Sequence, residues 1–139
     1  MRLFIALNFG KELLDAITGV QAEIRKLGIR GNYTKPANLH LTLAFIGEYN
    51  DPAKVTRAIR SVQFEPFKLT LAAEGIPFDG KRFTPHVTLV RRADGPELPE
   101  SAVPGLQSTL SRVSLMRSDR TDAGMRYTEI GFQMASAQI

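Results

Sequence analysis

The chain contains two histidines, and both open the same four-residue frame: "HLTL" at 40–43 and "HVTL" at 86–89. Successive side chains of a strand point to opposite faces, so on a strand His40 shares a face with Thr42 while Leu39, Leu41 and Leu43 take the other. His86 and Thr88 stand in the same relation, against Val87 and Leu89. Each frame therefore predicts an imidazole and a hydroxyl roughly 6.5 Å apart along one face. A lone histidine in an apolar strand is more often a satisfied core residue than a catalyst. In a chain of ordinary composition, a given histidine is followed by apolar-Thr-Leu about once in a few hundred cases. Two such frames at the only two histidines point to chemistry, with duplication of a structural feature as the competing explanation.

Two imidazoles with ordinary pKa values near 6.5 can hold different protonation states at neutral pH, one acting as base and the other as acid. Two hydroxyls can donate to the non-bridging oxygens of a phosphoryl group. In-line cleavage of a phosphodiester needs these parts: a base on the nucleophile, an acid on the leaving oxygen, donors for the charge between. If the two strands lie side by side, all four groups converge on one cleft. No metal is required, and two histidines without cysteine or a nearby carboxylate make a poor ligand set. No cofactor is expected.

The elements that must position these groups follow from periodicity. "RLFIALN" (2–8) predicts a strand, and "KELLDAITGVQAEIRKLG" (11–28) predicts an amphipathic helix through Leu13, Leu14, Ile17, Val20, Ile24 and Leu27, stopped at Gly28. "IRGNYTKPAN" carries Gly31, Asn32 and Pro36 and reads as a loop before the strand "LHLTLAFIG" (39–47). Asp51-Pro52 is an N-cap with proline in the first turn, opening a second helix through Val55, Ile59 and Val62. "FKLTLAAEGI" (67–76) and "HVTLVRR" (86–92) predict strands around the turn "PFDGKRFTP", and "ADGPELPESAVPG" predicts a Pro-rich surface loop. The runs "LSRVSLMR" and "MRYTEIGFQMA" flank "SDRTDAG" and predict a hairpin with a long loop. The expected class is α+β, with about six largely antiparallel strands and two helices.

At 139 residues the chain is long enough for one domain, 1–139, with its own core. The hydrophobic fraction of 43% and charged fraction of 23% are those of a globular protein. The start "MRLFIALNFG" lacks the long apolar region of a signal peptide, and no run approaches a membrane span, so a cytoplasmic location without membrane attachment is expected. A net charge of +4 and a pI near 9.7 favour anionic partners, nucleic acid or nucleotide before membrane.

The paired His-x-Thr frames resemble the 2H phosphoesterase superfamily, whose members carry two His-x-Thr/Ser motifs. The opening "MRLFIAL", the run "NLHLTLAFIGE", "FTPHVTLVRR" and the closing "SLMRSDRTDAGMRY" are similar to its RNA 2′,3′-cyclic phosphodiesterases, the LigT-like or 2′-5′ RNA ligase family. The resemblance implies two lobes of antiparallel sheet with helices outside, each lobe giving one motif to the groove between. It implies that His40 protonates the leaving ribose oxygen, that His86 activates water, and that Thr42 and Thr88 hold the phosphate. Tyr33, Lys35, Phe83, Arg91 and Arg120 become candidates for base stacking or phosphate contact.

One departure stands out: only "PFDGKRFT" separates the 67–76 segment from the second motif, where the family usually has a further strand and helix. The chain resembles a shortened member with a trimmed second lobe, both helices being expected on the first. Its expected partners are RNA 3′ ends or nucleotides bearing a cyclic phosphate, and its oligomeric state is open. The alternatives are a phosphodiesterase for small cyclic or 2′-5′-linked nucleotides, and a non-catalytic RNA- or nucleotide-binding module.

Overall fold

The structure, a computed structural model, describes residues 1–71, 86–97 and 106–136. In chain order these form β1 (Arg2–Asn8), α1 (Lys11–Lys26), β2 (Arg30–Tyr33), a 3-10 turn (Pro36–Asn38), β3 (His40–Glu48) and α2 (Pro52–Arg60). Then come β4 (Phe67–Leu71), β5 (Val90–Asp94), β6 (Leu106–Leu110), β7 (Arg112–Thr121) and β8 (Gly124–Met134). Four strands make one antiparallel sheet in the order β3-β1-β7-β8, and β2-β5 and β4-β6 pair separately, also antiparallel. The class is α+β, as expected from the periodicities.

The large sheet is apolar on both faces because β1 alternates between two cores. Leu3 and Ile5 point to one side, where Leu115 and Ile130 meet Val55 and Ile59 of α2. Phe4 and Ala6 point to the other, where Met116 and Tyr127 complete the cluster. We call these the helix face and the site face. Helix α2 begins as expected, with Asp51 Oδ1 accepting from the Lys54 backbone N–H at 3.1 Å. It ends at Arg60, so Val62 lies beyond it and is exposed.

Helix α1 buries Leu13, Ile17, Val20 and Ile24, while Leu27 sits exposed at its C-cap before Gly28 at φ +90°. Its apolar stripe packs on Leu39, Val87 and Leu89, and further along on Ile29 and Tyr33. Helix α1 thus spans both frames, meeting Leu39 just ahead of the first and Val87 and Leu89, which alternate with His86 and Thr88, in the second.

Several boundaries differ from the periodic pattern. Arg30–Tyr33 is a strand rather than loop: Asn32 pairs with Arg91 and Tyr33 with Val90. Gly31 permits it, since a Cβ there would meet Val90 Cγ2 at 2.7 Å and Arg91 O at 2.8 Å. In "HVTLVRR" the strand begins only at Val90. The β7–β8 hairpin has a tight turn at Asp122-Ala123, because "SDRT" continues the ladder to Thr121↔Gly124. In β3, register shifts against β1 leave Leu43 and Ile46 without ladder partners. The first shift resets the alternation, so Leu39 and Leu41 are buried while Leu43 is exposed. Of "FKLTLAAEGI" the strand Phe67–Leu71 is described. The rest of that run, the turn before the second motif and most of the Pro-rich segment lie outside the described residues.

One polar side chain sits inside the α1 interface. Gln21, buried among Ile17, Val20 and Ile24, donates from Nε2 to Thr34 O and to Leu89 O, each at 2.9 Å. Leu89 O also accepts from the Thr34 backbone N–H at 2.9 Å. Replacing Gln21 by Leu keeps the apolar contact and removes both donations, leaving Thr34 O short of a partner. Urea denaturation should show Gln21→Leu less stable by about 1–3 kcal/mol; an unchanged midpoint would mean that the bridge contributes nothing.

Candidate active site

His40 opens β3 directly after the 3-10 turn, in ladder register with Asn8. Its ring is fixed at both nitrogens. Nδ1–H donates to the carbonyl of Asn38 at 2.7 Å, and Nε2 lies 3.0 Å from Thr42 Oγ1. The imidazole leans along the strand, so it contacts its own threonine directly instead of standing a strand repeat away. Phe4 lies 5.0 Å from the His40 ring and Tyr127 meets it edge-on at 5.1 Å. With Nδ1 bonded to a carbonyl, Nε2 is the nitrogen presented to Thr42.

The turn that precedes His40 is anchored at the other end of the sheet. Asn38 Nδ2 donates to Met125 O at 3.0 Å, and Lys35 Nζ donates to Ala123 O at 2.9 Å. Both acceptors belong to the tip of the β7–β8 hairpin, which thus arches over the site face and closes one wall.

His86 and Thr88 arrive from the other direction. The segment they occupy is tied down just beyond Thr88, at Leu89 O, and continues into β5 beside β2. His40, Thr42, His86 and Thr88 all line one cleft of about 1020 Å³, together with Tyr33, Lys35 and Arg91. His86 is exposed there and His40 half-buried. Burial, first of all, pushes His40 below the ordinary imidazole range; the Asn38 carbonyl opposes this, and the Arg91 guanidinium and the neighbouring His86 ring add to it.

Of the remaining expected residues, Tyr33 is half-buried, with the Arg25 guanidinium 4.2 Å over its ring and its hydroxyl donating to Ile29 O at 2.7 Å. Lys35 is at the cleft but engaged with Ala123. Arg120 is not among the lining residues, although its ladder partner Met125 is. Phe83 lies outside the described residues. The structure adds Arg25, Asn38 and Tyr127, which the spacing argument did not single out. Arg25 reads as solvated helix surface and Tyr127 as sheet core. Only Asn38, two residues before His40, stood close enough to suggest a role. Among the described residues no group of three or more His, Cys, Asp or Glu could hold a metal ion.

Comparison with known proteins bears on this geometry. Residues 8–73 match the family described as LigT like phosphoesterase. The chain is 31% identical over 78 residues to the RNA 2′,3′-cyclic phosphodiesterase of Archaeoglobus fulgidus, covering 54% of this chain and 43% of that one. That alignment thus spans less than half of the relative's length. The RNA 2′,3′-cyclic phosphodiesterase of Methanothermobacter thermautotrophicus is 23% identical over 181 positions, covering 94% of this chain and 96% of its own. Escherichia coli LigT complexed with phosphate superposes with a TM-score of 0.77 at 24% identity over 98% of each chain. The same protein complexed with 3′-AMP gives 0.74 at 21% identity and the same coverage. In its matched segment and in its fold the chain is thus similar to the LigT-like phosphoesterases.

Proposed function

We propose that the protein hydrolyses RNA 2′,3′-cyclic phosphate ends to 2′-phosphates, with His40 as general acid and His86 as general base and without a metal. The observation that carries this is the convergence of His40, Thr42, His86 and Thr88 on one cleft beside Arg91. The names of the two archaeal relatives support the substrate class.

In the proposed reaction water attacks phosphorus in line with the bond to O3′. His86, exposed at the cleft, takes the proton from the attacking water. His40 gives the Nε2 proton to O3′ as the phosphorus–O3′ bond breaks, leaving a 2′-phosphate and a free 3′-hydroxyl. Thr42 and Thr88 donate to the non-bridging oxygens, and Arg91 offsets their charge. The Asn38 carbonyl holds His40 Nδ1–H, so Nε2 is the nitrogen that exchanges protons.

The depressed pKa of His40 fits an acid that is loaded by its substrate. In the free site, burial and the Arg91 cation disfavour the imidazolium. An anionic phosphate entering among these groups counters the Arg91 cation and favours the charged ring. Binding and proton loading are then coupled at one atom.

Three experiments bear on this reading. The first is turnover of 2′,3′-cyclic AMP and of an RNA bearing a cyclic phosphate end, both in EDTA. Turnover should persist, and His40→Ala or His86→Ala should each lower it about 10²–10⁴-fold with nucleotide binding changed only a few-fold. Loss of activity in EDTA, or near-full activity in a folded His→Ala protein, would overturn the mechanism. Turnover of the mononucleotide alone would favour a small-nucleotide phosphodiesterase, and of neither a binding module.

The second removes the hydroxyls. Thr42→Val and Thr88→Val keep the side-chain shape and delete a donor, so each should weaken both binding and turnover by about 1–3 kcal/mol. A variant that binds and turns over like the parent would exclude its hydroxyl from the phosphate site.

The third uses the sign of the Arg91 effect. If His40 is the acid, its deprotonation sets the alkaline limb of the kcat/KM profile. Arg91→Gln removes a charge that holds the His40 pKa down, so that limb should move to higher pH. Movement of the acidic limb instead would make His40 the base.

A further inference from the structure

Register along β3 carries the site face beyond the cleft. His40 pairs with Asn8, Thr42 with Ala6 and, after the shift at Leu43, Phe45 with Phe4. Directly opposed residues of an antiparallel pair share a face. Phe45 is therefore the next side chain after Thr42 on the face that bears the histidine, two ladder positions or about 7 Å further along the sheet. It is 60% exposed, the highest value among the large apolar side chains described as exposed. The sheet does not bury this ring, although its ladder partner Phe4 is buried against His40.

A cation accompanies it. Arg2, on the same face of β1 as Phe4, places its guanidinium 5.2 Å from the Phe45 ring centre and has no carboxylate partner among the described residues. The neighbouring carboxylate of Glu48 is held by the Met1 amino group at 3.0 Å. A second pair of the same kind, Arg25 over Tyr33, lines the cleft itself. Thus one arginine–aromatic pair lies in the cleft wall and another just past Thr42 on the same sheet face.

We propose that Phe45, backed by Arg2, is a stacking platform for the nucleotide 5′ to the cyclic phosphate end, so that the protein prefers an RNA strand to a mononucleotide. The inference rests on the phosphodiesterase function proposed above. One face of the ring carries the guanidinium; an exposed face of an aromatic accepts any base, and the cation suits the phosphate that joins it to the terminal nucleotide. A peptide or lipid occupant would have no need of a position on the sheet face that bears His40 and Thr42.

The test compares the parent protein, Phe45→Ala and Phe45→Tyr. kcat/KM is measured on 2′,3′-cyclic AMP and on a short RNA ending in a cyclic phosphate, and Kd on the same RNA ending in a 2′-phosphate. The parent should favour the RNA by about ten-fold, the lower part of the range for one stacked base. Phe45→Ala should lose that preference and bind the RNA about ten-fold more weakly, with mononucleotide turnover unmoved, while Phe45→Tyr should behave as the parent. Equal loss on both substrates, or no loss on RNA, overturns the platform. If the parent turns over no cyclic phosphate, the phosphodiesterase function fails separately and the RNA Kd decides. A ten-fold weakening in Phe45→Ala then supports the platform, and an unchanged Kd overturns it.

Discussion

The carboxamide of Gln21 is the constraint on which the cleft depends. One buried –NH₂ group donates to Thr34 O, ahead of the turn that leads into His40, and to Leu89 O, immediately after Thr88. These two carbonyls belong to segments far apart in the chain, and Thr34 N–H joins them a second time. A buried amide that satisfies two carbonyls at once fixes their separation far more tightly than apolar packing does. The β2–β5 ladder extends the same join outward, so both His-x-Thr frames are registered against each other at their inner ends.

The two histidines that this join brings together differ in exposure. His40 is gripped by the Asn38 carbonyl, Thr42, Phe4 and Tyr127, with the hairpin tip clamped onto the turn before it. His86 is exposed at the cleft. That difference suits the opposite roles proposed for the pair, since an acid needs a defined aim at a leaving atom and a base needs access to water. The sequence repeats its frame, but the fold does not repeat the environment.

Irregularities of the sheet carry as much of the design as its regular ladders. The shift at Leu43 turns Phe45 back to the site face, and a second shift at Ile46 directs that residue to the helix core. The unbroken ladder of "SDRT" makes β7–β8 long enough for its tip to reach Lys35 and Asn38. Gly31 allows β2 to approach β5 closely enough to seat Tyr33 and Arg91 on the same cleft.

Much of this was legible in the sequence. The alternation in 2–8, the helical stripe of 11–28, the Asp51-Pro52 start and the strand of the first His-x-Thr frame each depend on near neighbours only, through strand or helix periodicity and local capping, and each appears in the fold, while the second frame lies just ahead of β5. The pairing of the two frames was legible as well, because it lies in residue identity. Other features were decided by tertiary contact. Arg30–Tyr33 looked like loop until β5 supplied its partner, Val62 looked helical until the helix stopped short, and α1 packed against both frames. Gln21, Asn38 and Tyr127 gave little sign of their place, since an amide on a helix or a tyrosine in a strand has a default reading as surface or core. Their roles arise from carbonyls and rings contributed by distant segments, and local periodicity holds no information about which distant segment will arrive.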